Sequence, residues 1–519
     1  MSVLILVLPF WVLGILVGWY SSSQLDINPV LIILLWLFLF VLSFLNKYIF
    51  SRALPSRSFG SLLLIFLTSF LITTYKSGGD RLSTGESIVV IGEVKKVWEG
   101  PNSNRIKLKV TGCKNAWGED TSGEMILLML GSNLHDCPEE GSLIKVETHL
   151  DRIVRKTNSK DFPEQMYWAG EGIRKKGWMN AYETIEYRVG KKFDPLVYSG
   201  AIQNKLCCLI DGSIIGKDQA SVVKAMLLGQ KEDLAPDVKD VFRHTGISHL
   251  LAVSGLHVGL VYLIIIRLFF FLKASKAKVL IEVLAVLAVW FYSFMTGFGP
   301  SVQRAAGMIS LFAISRLLGR KVQPMQVLVL AFLFQSAINP FAIFSFGFQL
   351  SYLAVAGIFV VYRPWTRLIN SSKLLVKKVW DFAGVSIAAQ TFTLPFILIY
   401  FHEFPVYFLL GNLMLVPLGL IVFYLGIGYI LILSSGLSIN LLAQVLDKMV
   451  SLLLSIGKGI AGFPLSMINF DSFSILNLIL YYLIIAILFK AKRLSLYKRV
   501  VYIVIFTIGL KIMSLILGV

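Results

Sequence analysis

The chain has 519 residues, of which 56% are hydrophobic and only 15% charged, and its formal net charge at pH 7 is +19. A soluble domain carries roughly 25% charged residues, and the mean hydropathy here is +0.74, so the composition excludes a soluble protein. Long unbroken apolar runs also exclude a membrane β-barrel, whose strands read as alternating segments of about 10 residues. The expected fold class is a polytopic α-helical membrane protein.

Residues 1–75 hold three apolar runs, 2–20, 30–45 and 59–75. The first lacks a basic leading segment and a small-x-small cleavage site, so it reads as a retained spanning helix rather than a signal peptide. Residues 76–195 differ sharply, with 19 Lys and Arg against 18 Asp and Glu. Runs at Ile88–Val97, Arg105–Val110, Met125–Leu130 and Leu143–Leu150, separated by Gly, Asn, Pro and Asp clusters, read as short strands. A stretch at Phe162–Lys176 reads as a helix inserted before a last strand near Trp178–Val189. A small barrel such as an OB-fold suits this pattern, and a small β-sandwich suits it nearly as well.

Within this domain Lys95 and Trp98 sit near one strand end. Arg105, Lys107 and Lys109 alternate and share a face; Lys175 and Trp178 are further basic and aromatic candidates. Cys113 and Cys137 either form a disulfide, if the domain is extracytoplasmic, or are two buried thiols. With His135 they supply three potential metal ligands but no fourth, so no metal is expected.

Residues 196–246 connect this domain to the next apolar region. Charges in L-L-G-Q-K-E-D-L (Leu227–Leu234) and D-V-K-D-V-F-R-H (Asp237–His244) suggest one or two amphipathic helices at the membrane surface, or else a solvated connector. Then T-G-I-S-H-L-L-A-V-S-G-L-H-V (Thr245–Val258) places His249, Ser254, Gly255 and His257 at the head of an apolar run. Polar and titratable side chains are expensive there and point to function. Ser254 and His257 are three apart and share a helix face. That invites a hydrolase reading, but the pair is badly placed for proton transfer and no nucleophile elbow is present; helix packing or gating is the alternative.

Ten helices are expected over 247–519, near 247–271, 279–297, 301–318, 325–338, 342–361, 380–401, 406–433, 441–463, 473–489 and 500–517. Basic loops mark the cytoplasmic side: Lys47, Arg52 and Arg57; Lys273, Lys276 and Lys278; Arg320 and Lys321; Arg363 to Lys378; Lys490 to Arg499. Every basic loop falls on the same side in this layout, which puts the β domain outside. The span at 325–338 is short, and the one at 406–433 is interrupted by Pro417, so one of them is a candidate for a broken or re-entrant segment. Arg304 follows a Gly-Pro break; it lines a wet path, snorkels, or pairs with a carboxylate.

Taken together, L-L-G-Q-K (Leu227–Lys231), T-G-I-S-H-L-L-A-V-S-G-L-H (Thr245–His257), G-P-S-V-Q-R-A (Gly299–Ala305), Asn339-Pro340, G-F-Q-L-S-Y-L-A-V-A-G-I (Gly347–Ile358), F-H-E-F-P (Phe401–Pro405), Asn412 and Pro417 resemble the ComEC/Rec2 family of competence proteins. The resemblance covers roughly residues 220–490 and implies a channel that brings single-stranded DNA through the bacterial inner membrane during natural transformation. It implies a DNA path or gate at His249, Ser254, Gly255, His257, Arg304, Gln349, His402 and Asn412. It also implies DNA contact by Lys95, Trp98, Arg105, Lys107, Lys109, Lys175 and Trp178 on the outside domain.

Its implied partners are single-stranded DNA, a DNA receptor, a cytoplasmic helicase or single-strand-binding competence proteins, and membrane lipid. Many members carry a carboxy-terminal metallo-β-lactamase-like domain; this sequence contains no His-x-His-x-Asp-His string, so either a nuclease is a separate chain or this is a truncated form. Ser345 and Phe346 stand where members often have Asp. No cofactor is implied, and no nucleotide-binding motif is present. A small-solute transporter and an intramembrane hydrolase are the competing classes.

Overall fold

The computed structural model describes residues 3–22, 65–73, most of 87–187, nearly all of 195–470 and a few positions between 477 and 485. The expected helices at 30–45 and 500–517, most of that at 473–489, and Cys137 lie outside the described residues. An apolar helix, α1 (Val3–Ser22), opens the chain, and a second, α2, covers 65–73.

The β domain comprises β1 (Ser87–Trp98), β2 (Arg105–Asn115), β3 (Gly118–Asp120), β4 (Met125–Leu130), β5 (Ser142–Arg152), β6 (Ile173–Met179) and β7 (Glu183–Tyr187). Their order is β1-β2-β4-β6-β5, and β1 also pairs with β5, so five strands close into a barrel with β3 and β7 appended. Only the β4–β6 pair is parallel. Alternation builds the barrel: Ile106, Leu108 and Val110 point into the core while Arg105 and Lys109 are exposed. Gly92 marks a register shift in β1, where a Cβ would strike the Leu108 side chain.

The structure corrects the end of the expected helix at Phe162–Lys176: 162–167 lie outside the described residues, 168 and 170 are helical, and Ile173–Met179 is a strand. Ile173, Lys175, Gly177 and Met179 form its buried face. The basic run Arg174-Lys175-Lys176 hid the two-residue period, since Lys175 turns inward and bonds Glu124 at 3.4 Å.

The helical part follows: α3 (Pro195–Asp211), α4 (Lys217–Leu228), α5 (Pro236–His244), α6 (Gly255–Leu268), α7 (Ser275–Met295), α8 (Pro300–Leu317), α9 (Pro324–Ile338), α10 (Phe346–Thr366), α11 (Leu374–Phe401), α12 (Phe408–Ser434) and α13 (Asn440–Ala461). Short strands β8 (Glu403–Pro405) and β9 (Met467–Asn469) pair between α11, α12 and the segment after α13. Among the described residues, five helices are long and apolar enough to cross a membrane: Lys278–Met295 within α7, and α10 to α13; α6 and α9 are shorter and apolar. This is a multi-pass membrane protein. Helix α12 runs unbroken through Pro417 for 27 residues, so the proline costs it a hydrogen bond without interrupting it. The shorter α9 stops at Ile338, and a buried 3-10 turn over Pro340–Phe344 follows it.

One of the expected amphipathic helices is present, since α5 buries Val238, Val241 and Phe242 and exposes Asp237, Lys239, Asp240 and Arg243, but α4 departs from a surface helix. In α4 every residue from Ala220 to Leu228 is buried, and it packs in one core with α12 and α13. The one charge embedded in this run is neutralised locally: Lys224 Nζ lies 2.8 Å from Asp211 and 2.5 Å from Asp233. Close helix packing elsewhere rests on small residues. Trp365 of α10 and Trp380 of α11 stack at 4.3 Å and each donates its indole N–H to the other's carbonyl, at 3.2 and 3.3 Å.

Because Lys224 is buried while both its carboxylates are half exposed, its loss removes one charge and leaves two that water still solvates. Lys224→Met is therefore expected to destabilise the protein by about 2 kcal/mol, less than a fully buried pair would lose. Asp233→Asn, with Asp211 still in place, should cost about 0.5 kcal/mol. Thermal unfolding in detergent compares the two; equal shifts would contradict the shared clamp.

Candidate functional site: a cavity between barrel and helices

A cavity of about 2070 Å³ separates the barrel from the helical part. The barrel is seated over it at two places. Gly170 lies against the Ser345 backbone, and Gly200 of α3 lies beside the Glu140 carboxylate. Lys95, Lys107 and Lys109 line it from the barrel, Lys231 from the loop after α4, and Arg304 and Gln335 from the helices.

Lys231 is exposed, but to this cavity. Desolvation there lowers its pKa from the usual lysine value, with Glu232 acting in the opposite direction. The loop that carries Lys231 begins at Gly229, whose φ of +82° closes the end of α4, a left-handed position that favours glycine.

The Thr245–Val258 motif folds at the base of this region. It does not form a continuous helix from 247. Gly246 takes φ +71°, Ser248–Leu250 make one 3-10 turn, and the helix begins only after Ser254, its N-cap. His257 is the third residue of α6, and its Nδ1 accepts the Ser254 backbone N–H at 3.2 Å. That is one half of a capping box. The imidazole stacks on Phe423 of α12 at 4.5 Å. Phe423 in turn meets the edge of Tyr292, whose hydroxyl donates to the Leu227 carbonyl at 2.9 Å. One chain of contacts thus ties α6, α12, α7 and α4. Ser254 Oγ and His257 Nε2 are buried without partners. The pair therefore makes no serine–imidazole hydrogen bond, the first requirement of a nucleophile and its base.

Arg304 sits in the second turn of α8, after Pro300 at the first helical position. It is 3% exposed, and its Nη1 is buried without a hydrogen-bond partner. Its guanidinium lies 5.1 Å from the centre of the Tyr352 ring. Tyr352 donates to Gln335 Oε1 at 3.1 Å. One turn back on α10, Gln349 donates to the Ile343 carbonyl at 2.8 Å and accepts from Tyr400 at 2.6 Å. Gly255 lies beside Arg304, where a Cβ would be in van der Waals contact with Nη2 at 4.0 Å. Ser254, Gly255, His257, Arg304 and, through Tyr352, Gln349 thus form one neighbourhood. His249 is exposed on its 3-10 turn.

The remaining sequence candidates are placed elsewhere. His402 ends α11 in the left-handed region at φ +56°, and Asn412 lies in the second turn of α12. Each has one buried polar atom without a partner, yet neither lines the cavity. In the barrel, Lys107 bonds Glu171 Oε2 at 3.0 Å, Lys95 bonds Glu93 at 2.8 Å, and Arg105 lies over the Trp168 ring at 5.9 Å. Lys175 is 1% exposed inside the barrel, and Trp178 is 57% exposed away from the cavity. The Trp98 side chain lies outside what is described, and Cys113 is buried in β2. Sequence reasoning missed Tyr352, Gln335 and Phe423. Tyr352 lies inside the G-F-Q-L-S-Y-L block; the other two carry no local signal.

Residues 226–494 match the family model described as Competence protein. Over 209 residues the chain is 30% identical to ComE operon protein 3 of Bacillus subtilis, covering 40% of this chain and 25% of that protein. It is 23% identical to Competence protein ComA of Neisseria gonorrhoeae over 46% of this chain and 35% of that one. It is 22% identical to Recombination protein 2 of Haemophilus influenzae over 56% of this chain and 37% of that one. The chain therefore spans well under half the length of these relatives. No solved structure matches it.

The motif is held by a close approach at its start, where a Cβ on Gly411 of α12 would collide with the Thr245 carbonyl. Gly411→Ala is expected to displace the Thr245–Ser254 segment and cost about 2 kcal/mol. Gly428→Ala, where a Cβ meets nothing within 4 Å, is expected to be close to neutral. Thermal unfolding of the two variants checks the contrast.

Proposed function

The chain belongs to the competence protein family, and from that membership we propose that its cavity is the entrance of a path carrying single-stranded DNA across the bacterial inner membrane. The family ties the chain to DNA uptake for transformation; the passage and its residues are our reading. The observation that carries it is Arg304. A guanidinium buried in an apolar domain, with an unpartnered nitrogen and a large cavity beside it, needs an anion or water. A nucleic-acid phosphate supplies two acceptor oxygens that suit its fork.

The barrel supports an OB-like reading, since its strand order and single parallel pair suit a five-stranded Greek-key barrel. On that reading Lys107 and Lys109 meet the strand's backbone on the cavity side, while Trp178, facing elsewhere, has no part in the cavity. The distribution of basic loops supports a barrel on the outer side. Ser254, Gly255 and His257 set the head of α6 beside the path. Since Ser254 and His257 are not hydrogen-bonded to each other, we assign them positioning and gating roles, not hydrolysis. The partners on this reading are single-stranded DNA, an outer DNA receptor and cytoplasmic single-strand-handling competence proteins, with strand cleavage done by a separate nuclease.

Arg304→Gln, which keeps size and polarity but removes the charge, should lower DNA uptake by about tenfold or more, the value of one charge-assisted contact. The assay is transformation of a naturally competent host lacking its own homologue, with membrane insertion confirmed by fractionation. Wild-type transformation by the inserted variant would remove Arg304 from the path. Binding of single-stranded oligonucleotide by the full chain should weaken with salt, and Lys109→Ala should flatten that dependence by about 0.7 in log–log slope. An unchanged slope would show that Lys109 meets no phosphate.

A further inference from the structure

The cavity does not end at the polar neighbourhood of Arg304. It continues along α8, where Arg304, Gly307 and Leu311 lie on one face at intervals of three and four residues. Trp290 of α7 forms one wall, its indole donating to Ser310 at 3.0 Å. The other wall is a stripe on α9, Leu330, Phe334 and Ile338, exposed by 41%, 67% and 57%. Among the described residues, a Cβ at Gly307 would find no atom within 4 Å, so they leave the floor of the groove open in its middle. The groove runs roughly 10–12 Å along the helices, most of one leaflet of a bilayer core about 30 Å thick. Its charged end faces the barrel, and its far end is apolar apart from Ser310, whose hydroxyl is already taken by the Trp290 indole.

We propose that this groove binds an anionic phospholipid from the leaflet on the barrel side, its phosphate on Arg304 and one acyl chain passing Gly307 between Trp290 and Phe334. The order of chemistry along the groove favours this occupant. A nucleotide strand satisfies Arg304 but leaves its next phosphates against Leu330 and Phe334, whereas a phospholipid places a phosphate at the charged end and hydrocarbon beyond it. A net negative headgroup also neutralises the guanidinium, which a zwitterionic one does less well. The lipid thereby holds the path closed at rest, and an incoming strand displaces it. This rests on the reading of Arg304 as a phosphate-facing group; it does not require that DNA pass.

The test is native mass spectrometry of the full chain, purified without DNA and exchanged into phosphatidylglycerol or phosphatidylethanolamine. Phosphatidylglycerol is expected to stay bound in preference. Its occupancy should fall by about tenfold in Arg304→Gln, through the lost charge-assisted contact, and comparably in Gly307→Phe, which fills open space and leaves every polar group in place. Inorganic phosphate should not displace the lipid. Unchanged occupancy in Gly307→Phe overturns the proposal. So does displacement by inorganic phosphate alone, which would reduce the site to a phosphate pocket, or a dimer whose formation Gly307→Phe abolishes, which would make the groove an interface between copies. Loss of lipid with normal transformation in Arg304→Gln overturns the strand path and leaves the lipid site standing. Loss of transformation with unchanged lipid does the reverse.

Discussion

A charge removed from water must be neutralised locally or be reached by something polar. Three cations are buried among the described residues, Lys175, Lys224 and Arg304, and they meet this constraint in different ways. Lys175 is neutralised inside the barrel by Glu124, and Lys224 is held between Asp211 and Asp233. Arg304 has an aromatic face on one side and a cavity on the other. The first two make structure: one closes a strand face, the other lets a charged helix sit in an apolar core. The third leaves a positive charge to which none of the described residues gives a counter-ion, and the cavity takes its meaning from that.

The same economy explains the motif at the head of α6. The His257 imidazole is spent on the backbone of Ser254 through Nδ1 and on the ring of Phe423 through its face. What looks in the sequence like a serine and a histidine in search of a reaction is a helix start, pinned by a cap and a stack. The buried atoms left unpartnered, Ser254 Oγ and His257 Nε2 among them, cost roughly 1–3 kcal/mol each. Apart from Asp447, such atoms belong to Ser254, His257, Arg304, His402 and Asn412, all positions at which the motifs of the sequence already point to function.

Much of the architecture was legible from pattern. The membrane helices follow from apolar runs of sufficient length, and four barrel strands from alternation. The failures have identifiable causes. Strand β6 was obscured because an inward lysine looks like a surface residue until its carboxylate is seen. Pro417 looked like a break, but α12 accommodates it. In the candidate site the motifs marked Arg304 and Gln349, while Gln335 and Phe423 lie on helices whose local sequence gives no sign that they meet α6 or α10.

Hydropathy, charge distribution and short motifs by themselves determined that this is a multi-pass membrane protein with one inserted β domain, and to which family it is similar. Those properties are local or compositional, and the bilayer's demand for long apolar helices writes them directly into the chain. Tertiary structure alone decided which charges are paired, that the barrel stands over a cavity, and that α7, α8 and α9 leave a groove with a cation at one end. Pairing and enclosure depend on residues far apart in sequence, such as Glu124 with Lys175 or Arg304 with Tyr352, and no local period records them.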